Sequence, residues 1–534
     1  MTGPMHRGID ATAYALASIL IVYAALGTLF AVTTPPWQNP DEPAHYNYIA
    51  YIATERQLPV LQMGDYNEAY LERLKAEKFP PDLSIDPVRY ESHQPPLYYL
   101  LAVPVYWLSQ GRLLALRIFS VVLGGGVALL IFLCARAAVP GSPHIALGAA
   151  AFAAFLPMHV ALMASVNNDA LAELLIAGTV LALLRWQRQE SGSSVDMGSG
   201  HLLAAGILIG LGFLTKATVY VLFPVALFVV IIHSIWPGTT DRNPARKLIL
   251  RLVLLTGPAL LVGLPWWIRN SLVYGNLDFL GLSWHDAVVS GQPTAAAWVA
   301  EHGWGAYWER AWSFTSKSFW GVFGWLGVFM DARVYTLVYV LSVLGAVGIL
   351  FRFWAQASET DWQWARLFAA PGTTLLLLLL ATFAAYVWYN LGFIQHQGRY
   401  LFPALPAWGL LFALGWWAVL ERQASLVAGG VLLAGGGAHF VVATLAGGTA
   451  DRWTLLLFGM AGIGMVLYAL LSGRISRYIA ASGAGDQNRT PQEPSDRLRN
   501  DGDLRPILYV CLFLALAALD IAIPFLYIVP QLGS

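Results

Sequence analysis

Pro95-Pro96-Leu97-Tyr98-Tyr99-Leu100-Leu101-Ala102-Val103-Pro104-Val105-Tyr106-Trp107-Leu108-Ser109-Gln110 is apolar, but it is short and Pro104 interrupts it. A helix needs roughly 20 apolar residues to cross a bilayer. Whether this segment crosses decides the sidedness of everything after it. Counted as a span it gives about fourteen membrane helices; left at the surface it gives about thirteen. Short cytoplasmic loops are enriched in Lys and Arg. With thirteen spans, Arg136, Arg185, Arg188, Arg242, Arg246, Lys247, Arg352, Arg366 and Arg422 fall inside. So does the tail that holds Arg474, Arg477, Arg489, Arg497, Arg499 and Arg505. With fourteen, almost all of them move outside. Residues 96–110 are therefore expected to form a helix lying at the outer membrane surface.

The rest of the chain agrees with a membrane protein. Of its 534 residues 57% are hydrophobic and 12% charged, against roughly 25% charged in a soluble domain. The mean hydropathy is +0.59. Apolar runs near spanning length recur at about 13–34, 112–137, 144–164, 168–186, 201–215, 217–236, 248–268, 334–354, 371–392, 401–420, 425–446, 453–472 and 506–529. Backbone amides in lipid must be satisfied within the segment, so these are expected as helices of an all-α, multi-pass protein. Basic and acidic residues balance at 31 each, which gives no support to nucleic-acid binding. Cys134 and Cys511 both lie in apolar runs, so a disulfide framework or zinc site has little support. The first ten residues show no cleavage-site pattern, and the first run is expected to stay as an anchor.

Two long loops then face away from the cytoplasm, at about 35–111 and 269–333, both rich in Trp, Tyr and Pro. Aromatic side chains suit an interface, and long loops usually carry function. Residues 401–472 read as C-terminal helices and 473–505 as a flexible cytoplasmic linker. The last span lies within 506–534.

The densest candidate for chemistry is Pro35-Pro36-Trp37-Gln38-Asn39-Pro40-Asp41-Glu42-Pro43-Ala44-His45-Tyr46. Residues before proline avoid the α region. Asn39 and Glu42 are thus expected to be extended, holding Asp41-Glu42 in a stiff turn where the chain leaves the bilayer. Pro43 suits the start of a new helix. A carboxylate this close to hydrocarbon is expected to have a raised pKa and to suit proton abstraction. Helix capping at a polar membrane boundary would place the same residues there, and spacing alone leaves both open. His45 suits metal binding or substrate positioning.

Ser165-Val166-Asn167-Asn168-Asp169 forms a second oxygen-rich turn on the same side. Two such turns converging leave a divalent cation, Mg or Mn, open. Lys216, Arg269 and Arg399 sit at outer helix ends, against the usual bias. A phosphate headgroup is one reason for that; snorkelling to bulk lipid is another. No Walker loop or dinucleotide fingerprint is present. Gly124-Gly125-Gly126, Gly429-Gly430 and Gly435-Gly436-Gly437 lie inside apolar runs, where small residues serve close helix packing.

Taken in order, these motifs resemble the GT-C superfamily of membrane glycosyltransferases, which use polyprenyl-phosphate-linked sugars. They are most similar to its protein-mannosyltransferase and aminoarabinose-transferase branch and to bacterial relatives of it. The resemblance rests on Asp41-Glu42, His93-Gln94-Pro95-Pro96-Leu97-Tyr98-Tyr99, Asn168-Asp169 and Leu214-Thr215-Lys216. Leu264-Pro265-Trp266-Trp267-Ile268-Arg269-Asn270 and Gly398-Arg399-Tyr400, followed by Pro403 and Pro406, extend it.

The resemblance implies a catalytic module over residues 1–400, with juxtamembrane helices on the outer surface in the first long loop. It implies Asp41 as general base or acceptor-orienting carboxylate for a single inverting displacement, assisted by Glu42. Asp169, Asn168, His45 and His93 become candidates for acceptor, sugar or metal binding. Lys216, Arg269 and Arg399, with His396 and Tyr400, become candidates for neutralising the leaving lipid phosphate. The implied donor is a polyprenyl-phosphate sugar, and the implied acceptor is a glycan, lipid or protein of the cell envelope. The implied site is the periplasmic or exterior face of a bacterial inner membrane.

A lipid or polysaccharide transporter or flippase is the rival from another class. It would show ionisable residues at mid-membrane and internal repeats, whereas Asp520 is the one clear mid-helix acid. A glycan ligase with a pyrophosphate-linked donor is the third reading. Gln57–Arg89 and the loop 270–333, with Trp284, Trp298, Trp304, Trp308, Trp312, Trp320 and Trp325, match no assigned element.

Overall fold

The computed structural model describes residues 11–190, 199–235, 243–275, 277–357, 371–483 and 504–533. Most of the 473–505 linker, with Arg489, Arg497 and Arg499, lies outside the described residues, as do Arg242 and Arg366. Two compact units divide the chain. One takes Met1–Phe329, Gln363–Gly409 and Ala517–Ser534; the other takes Met330–Trp362 and Leu410–Leu516.

The first unit begins with α1 (Ala11–Thr33), an apolar helix of membrane-spanning length. The first long loop follows as α2 (Glu42–Glu55), α3 (Glu68–Ala76), a 3-10 turn (Tyr90–His93) and α4 (Leu97–Ser109). With 13 residues, α4 rises about 20 Å, short of the roughly 30 Å hydrocarbon core. It buries Tyr98, Tyr99, Ala102 and Val103 and leaves Leu100, Leu101, Trp107 and Leu108 exposed. Next come α5 (Leu113–Ala138), α6 (Pro143–Ala154), α7 (Pro157–Met163), α8 (Asp169–Glu190), α9 (Ser199–Phe213), α10 (Leu222–Ile235) and α11 (Pro244–Tyr274). The second long loop contains α12 (Leu282–Val288), α13 (Ala295–Trp320) and a two-stranded hairpin pairing Val322–Phe323 with Val328–Phe329.

Small residues let these helices approach closely, as expected from the glycine triplet in α5. A Cβ on Gly124 would collide with the Tyr23 hydroxyl of α1. The same hydroxyl donates to the Val121 carbonyl at 3.2 Å. The expected span over 144–164 is broken instead of straight: α6 and α7 meet at 62°. Pro157 is the physical reason, because Leu156 before it adopts extended backbone (φ −81°, ψ 111°).

In the second unit, α14 (Ala332–Ala357) belongs with later helices of the chain. Helix α15 (Pro371–Gly392) returns to the first unit, and α16 (Leu405–Ala418) begins there and ends in the second. Then follow α17 (Arg422–Leu445), α18 (Arg452–Gly483) and α19 (Arg505–Ile523), which ends in the first unit. Gly429 packs α17 onto α18: a Cβ there would lie 2.9 Å from the Gly462 carbonyl oxygen.

Among the described residues, ten helices are long and apolar enough to cross a membrane, or eleven if the bent α6–α7 pair is one span. The chain is thus a multi-pass membrane protein. Helix α8, which carries Asp169, Glu173, Arg185 and Arg188, and α9, with 15 residues, are not among the eleven.

Candidate active site

The turn between α1 and α2 is strained in the way its sequence anticipates, but at a different residue. Glu42 was expected to be extended before Pro43; it is instead the first residue of α2. Asp41 takes the strain with a left-handed conformation, φ 66°. That conformation is uncommon outside glycine, and Asp and Asn tolerate it best. Both carboxylate oxygens are engaged. Tyr90 Oη donates to Oδ1 at 2.8 Å, and Arg399 Nη2 donates to Oδ2 at 3.1 Å. Arg399 is in turn held by the Gln397 side chain, which accepts from its Nε at 2.7 Å. The Asp41 side chain remains 24% exposed, which leaves a face open to a ligand.

Glu42 points the other way and is fully enclosed. Arg117 Nε and Nη2 donate to its two oxygens at 2.8 and 2.6 Å. The Trp37 and Val166 amides add bonds of 3.2 Å each. Arg117 also donates to the carbonyls of Ala31, Thr34 and Pro35. The buried Arg117–Glu42 pair therefore ties the end of α1, the start of α2 and the loop before α8 into one frame. A burial this complete suits a positioning role for Glu42.

The second oxygen-rich turn stands alongside. Asp169, at the start of α8, pairs with Lys216 at 2.7 Å, and both side chains are about one-fifth exposed. Asn168 Nδ2 donates to Gln94 Oε1 (3.3 Å), the Tyr99 hydroxyl (3.5 Å) and the Thr215 carbonyl (3.2 Å). Its Oδ1 is buried and accepts from nothing among the described residues. His45 Nδ1 lies 2.8 Å from the same Tyr99 hydroxyl. Asp41, His45, Asn168, Asp169, Lys216 and Arg399 thus form one electrostatic cluster.

The charges in it sort by environment. Burial by itself would raise the Asp41 pKa, but Arg399, His45 and the Tyr90 hydrogen bond outweigh it and hold the carboxyl below its usual range. The raised pKa expected at Asp41 therefore belongs to another residue. Glu91 is pushed up to about 7 by burial and by the Asp41 charge, which Lys216, Gln94 and Arg399 only partly offset. Its Oε2 is buried without a hydrogen-bond partner among the described residues. Burial and the nearby Lys216 push His45 down to about 3, so its ring is neutral near pH 7.

A pH signature follows. The folded chain holds the Glu91 proton more tightly than the unfolded chain, whose value lies near 4.5. The resulting stabilisation is complete below the unfolded value and is lost as pH rises through about 7. Thermal unfolding followed from pH 5 to 8 is expected to fall in midpoint for the wild type and to be flatter for Glu91→Gln. Parallel curves for the two would refute the assignment.

Other candidates lie apart from this cluster. Arg269 sits over the Trp266 and Tyr274 rings, at 4.8 and 5.6 Å, and donates to the Pro59 carbonyl at 2.6 Å. His93 packs against His285, ring centroids 4.3 Å apart. Tyr400, by contrast, borders the cluster, lying under Arg399 with its ring 5.6 Å from the guanidinium carbon. His396 is buried edge-on to Tyr307, and neither ring nitrogen has a hydrogen-bond partner among the described residues. Glu91, Tyr90 and Arg117 escaped the sequence reading, and Tyr99 entered it only as part of the His93–Tyr99 motif, with no role of its own. For Arg117 a signal was present, because an arginine inside an apolar run is rare and usually has a partner.

Among the described residues no group of three or more His, Cys, Asp or Glu side chains is arranged to hold a metal ion. Asp41 and Asp169 each already face a cationic side chain. This donor set does not fit Mg or Mn, and no step is derived through either.

Residues 93–266 match the family model described as dolichyl-phosphate-mannose-protein mannosyltransferase. The match bears out the resemblance to the GT-C superfamily, and with it the class of activity, a glycosyltransferase. No curated protein matches the chain. Among solved structures the chain is similar to ArnT from Cupriavidus metallidurans bound to undecaprenyl phosphate. That similarity is at 15% identity, covering 96% of this chain and 78% of that one, with a TM-score of 0.49. It is also similar to the Archaeoglobus fulgidus oligosaccharyltransferase AglB in complex with an inhibitory peptide and a dolichol-phosphate (14% identity, 86% and 55% coverage, TM-score 0.43). A third is the S. cerevisiae protein O-mannosyltransferase Pmt1-Pmt2 complex bound to the sugar donor (17% identity, 49% and 34% coverage, TM-score 0.36).

Proposed function

We propose that this glycosyltransferase moves a sugar from a polyprenyl-phosphate-linked donor to a glycan, lipid or protein acceptor on the non-cytoplasmic face of the membrane. The observation that carries this reading is the paired arrangement of Asp41 with Arg399 and Asp169 with Lys216 around His45. Two carboxylates and two cations, with side chains 8–24% exposed, match a reaction that needs a nucleophile oriented and a phosphate neutralised.

A lipid phosphate entering the cluster competes with the carboxylates for Lys216 and Arg399. Pairing with the phosphate frees Asp41 Oδ2, which then accepts the proton of the acceptor's attacking group. The new bond forms at the anomeric carbon as the bond from that carbon to the phosphate oxygen breaks, in one inverting displacement. Negative charge grows on the leaving phosphate, and cations aimed at it lower the barrier. Asp169 and the free Oδ1 of Asn168 accept from sugar or acceptor hydroxyls. Glu42 positions Asp41 through Arg117.

Counting α6–α7 as one span and adding α8 and α9 to the ten gives thirteen, the number the loop charges favour. With that count the cluster faces away from the cytoplasm, and α4 lies at the outer surface.

The test is transfer from a panel of radiolabelled polyprenyl-phosphate sugars to endogenous acceptors, with purified wild type and Lys216→Ala. Wild type is expected to transfer from at least one donor. A charge-assisted hydrogen bond contributes about 1.5–3 kcal/mol, so Lys216→Ala is expected to raise the donor KM by about tenfold or more. Folded wild type that transfers from no donor in the panel would overturn the reading.

A further inference from the structure

We infer that the far ends of the same helices build a second, separate site, one that takes a phosphate-headed lipid. Arg117 of α5 and Asp169 of α8 stand at the candidate active site. Arg136 closes the other end of α5, and Arg185 and Arg188 lie in the last turns of α8. At 1.5 Å per residue these arginines are about 24–28 Å from the first site along the helix axes, close to the thickness of a hydrocarbon core. An open cavity of about 740 Å³ lies there, lined by the three arginines together with Phe132, Gln189 and His201. It shares no residue with the site described above.

Lys and Arg enrichment at one membrane face explains three arginines, but not their convergence on one cavity. Arg136 lies over the Phe132 ring, 6.0 Å from its centroid. Among the described residues none of the three has a carboxylate partner. Three guanidinium groups left together repel one another, and an anion between them removes that cost. Their planar forks match phosphate oxygens. The buried Gln189 Oε1 has no hydrogen-bond partner among the described residues and is an acceptor awaiting a donor, such as a hydroxyl beside the phosphate. The apolar wall formed by Leu16, Phe132, Leu133 and Ala137 suits the lipid tail. Cation, acceptor and apolar wall together select an anionic, hydroxyl-bearing phospholipid over a zwitterionic one.

The experiment uses the purified full chain in detergent, with phosphatidylglycerol as probe and phosphatidylcholine as comparison. Arginine modification by phenylglyoxal, read by peptide mass spectrometry, is expected to slow several-fold at Arg136, Arg185 and Arg188 with phosphatidylglycerol only. Equal protection by both lipids, or by neither, overturns the site. Inorganic phosphate that protects as well as the lipid does at equal concentration would keep the phosphate recognition and assign its source to solution. In the combined variant Arg136→Gln, Arg185→Gln, Arg188→Gln, the apparent Kd for phosphatidylglycerol is expected to rise at least tenfold. Unchanged affinity there also overturns it. If that variant does not fold, the wild-type protection pattern decides alone.

Discussion

Asp41→Asn is expected to lower the turnover number by about 10²–10⁴-fold, the usual range for loss of a positioned proton acceptor, while the protein still folds. The backbone argument for folding is direct. Asp41 is left-handed, and asparagine is the residue after glycine that best tolerates that conformation. The amide keeps an oxygen for the Tyr90 hydroxyl but loses the charge that holds Arg399. A released Arg399 is free for lipid phosphate, so donor KM is expected to stay level or fall as kcat collapses. That split separates the proposed role from two others. Unchanged kcat would make Asp41 a turn residue only. A risen KM with little change in kcat would make it a holder of Arg399.

The second large effect concerns stability. Glu42→Ala is expected to cost about 3–5 kcal/mol, the range for breaking a buried ion pair by removing one partner. Arg117 would keep its charge in a site 3% exposed, and the Trp37 and Val166 amides would lose their acceptor. Thermal unfolding in detergent and the yield of folded protein are the readouts. Removing both charges, as in Glu42→Gln with Arg117→Met, is expected to recover part of the loss, because no uncompensated charge is left inside. A Glu42→Ala protein as stable as wild type would show that the frame at the end of α1 does not depend on this pair.

Much of the helical layout was legible because the bilayer leaves backbone amides one common solution. Each expected apolar run coincides with a helix or, for 144–164, with a broken pair. The break itself could have been read from Pro157. Helix α8 coincides with the expected run 168–186, but Asp169, Glu173, Arg185 and Arg188 keep it out of the ten spanning helices. At the site, Asp41 and Asp169 were reachable from their oxygen-rich turns, and Lys216 and Arg399 from sidedness. Their pairing was not, since Arg399 is 358 residues from Asp41. The same distance explains the reversed expectation for the Asp41 pKa: local sequence shows hydrocarbon nearby but not the arginine that offsets it. Glu91 was hidden for a related reason. Its environment is set by Asp41, Lys216 and Arg399, and nothing in its own stretch announces them.

That separation along the chain also sets a timetable. Ribosomes add about 5–20 residues per second, so roughly 20–70 s pass between the synthesis of Asp41 and that of Arg399. Through that interval the nascent protein carries its acidic turn without the cation that completes it. The Asp41–Arg399 pair can form only after residue 399 has been made. On the proposed reading, a polypeptide truncated before Arg399 is expected to lack one of the two cations that face the donor phosphate, and so to transfer poorly.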